Sequence, residues 1–254
     1  MVVGENPHAP DVLPSRAMGV SVSAIVVAAG SGRRMGGTNK ALLGLAGEPM
    51  LARSLRALRE VEAVGQLTVV MNPADVERLQ AEWHLSPAEL GADQVVAGGA
   101  ERWLSSRHGC EAAAEAPYLL VHDAARPLVQ AADIAAVIAA ADEHGAALLA
   151  EPLADTLKSS GQDTHVCGTV SREGLWRAQT PQVARRDWML EAFARWEAER
   201  QDTPTDESMM LELLGHAPRL VASSAPNFKV TTPRDLQLAE ALLRTTLDRS
   251  APHA

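Results

Sequence analysis

Short apolar runs alternate with amphipathic stretches along most of the chain. Residues 24–28, 67–71, 94–97, 118–121 and 146–150 have the length and continuous apolar character of buried strands. Between them, 49–60, 74–83, 101–115 and 131–144 repeat their apolar positions at helical spacing. This βαβα order predicts an α/β fold, a Rossmann-like doubly wound, mostly parallel sheet with helices on both faces.

The rhythm changes after Glu151. Residues 156–159 and 165–170 read as two strands joined by the turn segment Ser160-Gly161-Gln162-Asp163. They predict an inserted β-hairpin arm at about 152–182, and an arm on such a sheet suggests a homodimer. Helices are expected at 185–200 and 206–214, a strand at 219–223, and a last helix from Pro233 to about Leu247. Thr232 is placed to cap that helix, and Pro233 suits its first position. Residues 1–20 hold three prolines and no periodic pattern, which predicts a disordered tail; 248–254 reads as a second one. A single domain is expected over 21–247.

Charge and composition narrow the partners. The formal net charge is −9 over 254 residues, against a nucleic-acid partner, so any anionic ligand needs cations gathered locally. No apolar run is long enough for a membrane span, and no signal-peptide pattern precedes the first strand. The two cysteines, Cys110 and Cys167, lie far apart without metal-site spacing, which fits a reducing cytosol.

The first strand runs into Ala28-Ala29-Gly30-Ser31-Gly32-Arg33-Arg34-Met35-Gly36, with Lys40 close behind. A strand followed by a glycine-rich turn offers backbone N–H groups to phosphate. A Walker loop is excluded, because no Gly-Lys-Ser/Thr occurs here. Gly30, Gly32 and Gly36 give a loose dinucleotide spacing, but the expected acid at the end of the second strand is absent, where Val70-Met71-Asn72 stands. An NADP-dependent oxidoreductase and a non-catalytic nucleotide sensor both stay open. A nucleotidyltransferase loop accounts for more: displacement at an α-phosphorus builds negative charge, which Arg34 would grip through its fork and Lys40 would meet as a mobile point charge.

A second motif, His122-Asp123-Ala124-Ala125-Arg126-Pro127, ends the strand at 118–121. Ligands of such sheets sit beyond the carboxyl ends of the strands. A carboxylate beside a triphosphate needs a hard cation, so Asp123 is expected to hold Mg²⁺. Arg126 is expected either on substrate or holding the loop.

These segments resemble the 2-C-methyl-D-erythritol 4-phosphate cytidylyltransferase family of non-mevalonate isoprenoid synthesis, and less closely its ribitol-5-phosphate relatives. The resemblance runs from about Ser23 to Arg244. It includes Asp155-Thr156-Leu157-Lys158, Arg172-Glu173-Gly174-Leu175-Trp176, Gln179-Thr180-Pro181-Gln182, Thr205-Asp206-Glu207 and Asn227-Phe228-Lys229-Val230-Thr231-Thr232-Pro233. It implies a Mg²⁺-dependent enzyme that joins CTP and a polyol phosphate and releases pyrophosphate. By the same resemblance Arg34 and Lys40 stabilise the transition state, while Arg172 and Lys229 position the acceptor phosphate. Ala28, Ala29, Gly30, Gly32, Gly99 and Ser105 fall in nucleotide-binding segments, and Arg126, Thr156, Thr180 and Thr205 in substrate-binding ones. The family is dimeric, with the arm reaching the neighbouring site. This chain departs from the pattern at Leu104 and Ser106, where Asp and Val are usual, and at Pro226, where some relatives carry an acid.

Overall fold

A computed structural model describes residues 20–30, 39–199 and 203–250. In chain order the first half comprises β1 (Val22–Val27), a 3₁₀ turn at Lys40–Leu42, β2 (Gly44–Leu45), β3 (Glu48–Pro49), α1 (Met50–Arg59), β4 (Val64–Val70), α2 (Pro73–Trp83), β5 (Gln94–Val96), α3 (Arg102–Ala112) and β6 (Tyr118–Asp123). The second half comprises α4 (Ala131–His144), β7 (Ala146–Pro152), β8 (Leu157–Ser160), β9 (Val166–Val170), β10 (Trp176–Arg185), α5 (Arg186–Glu199), α6 (Glu207–Leu213), β11 (Arg219–Ala222) and α7 (Pro233–Ser250).

Seven strands form one sheet in the order β11-β7-β10-β6-β1-β4-β5, with every pairing parallel except those of β10. Side chains alternate across a strand, so β1 feeds two cores. Val22, Ala24 and Val26 pack with Leu51, Leu55 and Leu58 of α1, Leu79 of α2 and Ile134, Val137 and Ile138 of α4. Ile25 points the other way, toward Cys110 of α3, Met189 and Phe193 of α5, and Met210 and Leu211 of α6. Each buried Val, Leu, Ile, Met or Phe side chain among these stabilises the fold by about 1.5–3 kcal/mol. The doubly wound architecture expected from the pattern is the one observed. A third, smaller cluster joins Ala239 and Leu243 of α7 to Leu45, Met50 and Leu128.

β10 is the element the hydrophobic pattern hides. Its middle is Gln179-Thr180-Pro181-Gln182, polar and interrupted by proline, yet from Gln179 to Ala184 it is buried between β6 and β7. The expected arm limit at 182 is therefore too late: from Gln179 the chain is already inside the sheet. The hairpin itself is β8 and β9, antiparallel, at the end of an extended stretch where Trp176 and Arg177 pair with Pro152 and Glu151. The expected leading tail lies outside the described residues except for Val20, and α7 runs on to Ser250, into the segment expected as the second tail.

α4 ends at Gly145, whose φ of +84° suits glycine and whose N–H closes the last turn on Ala141. A Cβ added there would lie 2.3 Å from the Trp188 ring, which stacks on His216 at 3.7 Å. Gly145→Ala should destabilise the protein by about 2–4 kcal/mol in urea unfolding, part from φ and part from displacing Trp188. In a Trp188→Ala background the same change should cost only the backbone part, about 1–2 kcal/mol. An equal cost in both backgrounds would show that the ring makes no contribution.

Candidate active site

The strand order changes direction at β1, which pairs with β4 on one side and β6 on the other, with Val27 opposite both Val70 and Asp123. Beyond these carboxyl ends lies the crevice where open α/β sheets bind ligands. The chain leaves β1 under tight control. Ala28 N–H donates to the Val70 carbonyl (2.8 Å), and its own carbonyl accepts from Asn39 Nδ2 (2.6 Å). Asn72 Nδ2 donates to the Ala29 carbonyl (3.2 Å), while Gly30 is exposed. Ala28 thus spends both backbone groups on the fold, and of Ala28, Ala29 and Gly30 the last is the most open. Gly32 and Arg34 lie outside the described residues. Lys40 follows Asn39 and so starts from this same end of the sheet.

Asp123, at the tip of β6, is buried among three cations. Arg102 Nε stands 3.0 Å from its Oδ1, Lys229 Nζ 2.9 Å from its Oδ2, and Arg126 Nε 3.7 Å from Oδ2. Burial alone would raise the Asp123 pKa; Arg102, Lys229 and Arg126 overcome it and hold the carboxylate ionised far below the usual range. Arg102 turns its other two nitrogens to Glu207, at 2.8 and 3.1 Å, and Glu207 is wholly buried. Burial would lower the Arg102 pKa, but Glu207 and then Asp123 raise it. Arg102 and Glu207 stand in segments the sequence marks, yet their pairing links residues 105 positions apart, and nothing local in the sequence signals it.

The loop carrying Lys229 is fastened beside the one after β6. Arg126 Nη1 donates to the Asn227 carbonyl (2.8 Å), and Val230 N–H donates to the Ala125 carbonyl (2.8 Å). Of the two uses expected for Arg126, holding the loop is the one its contacts display. Two residues on, Thr232 Oγ1 accepts from Asp235 N–H while Asp235 Oδ2 accepts from Thr231 and Thr232 N–H, so α7 starts on a reciprocal cap.

Thr180 is buried behind Asp123 rather than open to a ligand. The β10 ladder with β7 is interrupted between Ala178 and Gln182, and Thr180 Oγ1 accepts the Asp123 N–H (3.0 Å). Its hydroxyl also lies 3.1 Å from His122 Nδ1, and His122 Nε2 lies 3.2 Å from the Arg126 carbonyl. A carbonyl can only accept, so Nε2 carries the proton and Nδ1 accepts from Thr180. Ser105 is similarly committed: its buried Oγ accepts from Gly99 N–H (3.0 Å) and donates to the Glu101 carbonyl (3.1 Å). That loop presses on the first turn, since a Cβ on Gly98 would lie 2.2 Å from that of Ala29. Thr205 is exposed, and Thr156 and Arg172 lie on the exposed arm, where Arg172 Nη1 donates to the Ala154 carbonyl. The described residues therefore bring together the first turn, Asp123, Arg126 and Lys229, and leave Thr156 and Arg172 out on the arm.

The profile of the 2-C-methyl-D-erythritol 4-phosphate cytidylyltransferase family matches residues 22–245. A protein of that name from Pelotomaculum thermopropionicum is 42% identical over 234 residues, 91% of this chain and 97% of its own length. One from Salinibacter ruber is 41% identical over 232 residues, 89% and 94% of the two chains. The solved structure of the 2-C-methyl-D-erythritol 4-phosphate cytidylyltransferase of Thermus thermophilus matches with a TM-score of 0.74 at 33% identity, covering 89% of this chain and 100% of that one. The chain belongs to this cytidylyltransferase family.

Two of the departures from the cytidylyltransferase pattern, Leu104 and Ser106, lie in the first half of α3. Leu104 lies against Gly99, where an added Cβ would come within 2.5 Å of the leucine Cβ. Ser106 is fully buried with a hydroxyl that finds no hydrogen bond, surroundings that suit the family's valine. Asn72, where a dinucleotide enzyme would place its acid, uses its amide on Ala29 instead.

Burial pushes the His122 pKa down to about 4, against the opposing pull of Asp123, from 6.5 in the unfolded chain. Between those values the unfolded chain takes up a proton that the fold refuses. This contribution to stability is complete above pH 6.5, falls as pH drops, and levels off below about 4. Urea unfolding at about pH 7.5 and 4.5 should show the wild type losing about 2–3 kcal/mol more than His122→Gln. Equal losses would mean that His122 is charged in the folded protein.

Proposed function

We propose that this chain is a 2-C-methyl-D-erythritol 4-phosphate cytidylyltransferase, transferring the cytidylyl group of CTP to the polyol phosphate in isoprenoid precursor synthesis. The observation that carries this is the ionised Asp123 ringed by Arg102, Arg126 and Lys229 at the switch-point crevice, beside the glycine turn. A phosphate oxygen of the acceptor attacks the α-phosphorus. The new O–P bond forms as the bond to the β-phosphate oxygen breaks, and the electron pair departs on pyrophosphate.

In this proposal Arg34 and Lys40 oppose the charge that builds on the α- and β-phosphate oxygens, and Lys229 and Arg172 hold the acceptor phosphate. Lys229, with 37% of its side chain exposed, is bound to Asp123 yet open to the crevice. Gly30, Gly32, Gly99 and the backbone around Ala29 line the nucleotide. Ala28, Ser105, Thr180 and Arg126 support these walls through the bonds already described. Thr205, exposed just before α6, is proposed to meet the acceptor.

Among the described residues no cluster of three or more His, Cys, Asp or Glu side chains could cage a metal. The donor set fits Mg²⁺ in the manner that takes one carboxylate and completes its shell with phosphate oxygens and water. Of the three cations around Asp123, only Arg102 stands within hydrogen-bond distance of Oδ1 and only Lys229 within that of Oδ2, with Arg126 farther off at 3.7 Å. Each oxygen keeps a further lone-pair direction, so Asp123 would hold the ion. When bound, Mg²⁺ neutralises phosphate charge during displacement.

The arm supports a homodimer. Residues 171–178 are exposed throughout, and Val166, Val170, Leu175 and Trp176 show apolar surface to solvent. In the proposed dimer Thr156 and Arg172 serve the neighbouring site. The cytosol is the proposed compartment, in keeping with two unpaired cysteines; among the described residues no helix is long and apolar enough to cross a membrane.

Pyrophosphate release from CTP should be rapid with methylerythritol phosphate and slow with ribitol 5-phosphate; the reverse preference would move the assignment to the relative. Lys40→Ala should fold normally and lose about 10²- to 10³-fold in kcat. Mixing equal amounts of Lys40→Ala and Arg172→Ala, each inactive alone, should restore about a quarter of wild-type turnover once subunits exchange, because half of the dimers then hold one intact site. No recovery would place Arg172 in its own subunit's site, and full turnover of Arg172→Ala alone would place it outside the reaction.

A further inference from the structure

Lys40 opens a 3₁₀ turn of three residues, Lys40–Leu42, which is too short to fix its own orientation. Other side chains fix it. At its start, Asn39 is only 4% exposed and every polar atom of its side chain is engaged. Oδ1 accepts from Ala41 N–H (3.0 Å), and Nδ2 donates to the Ala28 carbonyl (2.6 Å) and to Asp75 Oδ2 (2.8 Å). At its end, Trp83 Nε1 donates to the Leu42 carbonyl (3.0 Å), and the ring lies so close to Gly44 that a Cβ there would come within 3.1 Å of it. Asp75 lies in the first turn of α2 and Trp83 is its last residue. One helix therefore grips the turn at both ends, and Asn39 ties that grip to the exit of β1.

We infer that Asn39, Asp75 and Trp83 are positioning residues for Lys40, with α2 acting as a rigid brace that sets where the Lys40 side chain leaves its 3₁₀ turn. The inference rests on the proposed role of Lys40. A point charge that acts on the transition state must be held to within a fraction of an ångström, and small misplacements in such sites cost up to about 100-fold. The bonds are arranged for that purpose better than for general stability. A buried amide with every polar atom engaged admits one orientation, and the residue so fixed adjoins Lys40.

The test uses the full chain, with pyrophosphate release from CTP and methylerythritol phosphate as readout and urea unfolding to certify the fold. Asn39→Ala and Asp75→Ala should lower kcat and kcat/KM by a common factor of about 10 to 100, the signature of a contact made only in the transition state. Trp83→Phe keeps an aromatic side chain but loses the donor and the indole edge against Gly44, and should cost about 3- to 10-fold. Placed in Lys40→Ala, each change should add less than about 2-fold, because the charge it positions is gone. Full additive losses in that background, or wild-type kcat in folded Asn39→Ala and Trp83→Phe, would overturn the brace. The two ideas separate cleanly. Impaired Lys40→Ala with unimpaired Asn39→Ala and Trp83→Phe removes the brace alone, whereas normal turnover in Lys40→Ala removes the role of Lys40 and the brace with it.

Discussion

A buried carboxylate survives in its charged form only where cations stand close enough to replace the water it has lost, and Asp123 meets that condition three times over. The surrounding elements are placed as this requirement demands. Arg102 comes from the start of α3, Arg126 from the loop after β6, and Lys229 from the loop before α7, so three separate segments end at one oxygen pair. Glu207, at the start of α6, balances the second charge equivalent of the cluster through Arg102. The sheet supplies the point of convergence; the charges determine which loops must meet there.

The same cluster reconciles a net charge of −9 with binding a triphosphate. An acidic protein repels nucleotides at long range, but screening limits that repulsion to about 8–10 Å at ordinary salt. Within the crevice the local sum is different. Asp123 and Glu207 carry two negative charges, and Arg102, Arg126 and Lys229 carry three positive ones. The His122–Thr180 pair adds no charge, because burial keeps the imidazole neutral. It serves to hold the Asp123 backbone at the point where the β10 ladder is interrupted.

Most of the architecture was legible in the sequence because parallel strands buried on both faces read as continuous apolar runs. β10 was not, for a physical reason: its central residues are polar because they hold the site's backbone in place, and Pro181 interrupts the run. Asp123 and Lys229 could be read from their motifs. Arg102, Glu207, Asn39 and His122 could not be given their parts, since each is defined by a partner brought near only by folding, across 105 positions in the case of Arg102 and Glu207 and 36 in that of Asn39 and Asp75. Thr180 shows the converse. Its motif marks it as part of the site, but only the fold reveals that its hydroxyl faces inward.

The bidentate contact between Arg102 and the wholly buried Glu207 also constrains how this sequence can drift. Loss of Arg102 leaves Glu207 a lone charge inside the molecule, at a cost of about 3–5 kcal/mol, a large share of the margin that keeps a typical domain folded. Loss of Glu207 instead leaves Arg102 with Asp123 as its remaining partner. Descendants that replace Arg102 must replace Glu207 at nearly the same time, or first acquire stability elsewhere. Two positions far apart in the gene are therefore coupled in inheritance, and any lineage in which only Arg102 has changed should carry a compensating residue within reach of Glu207.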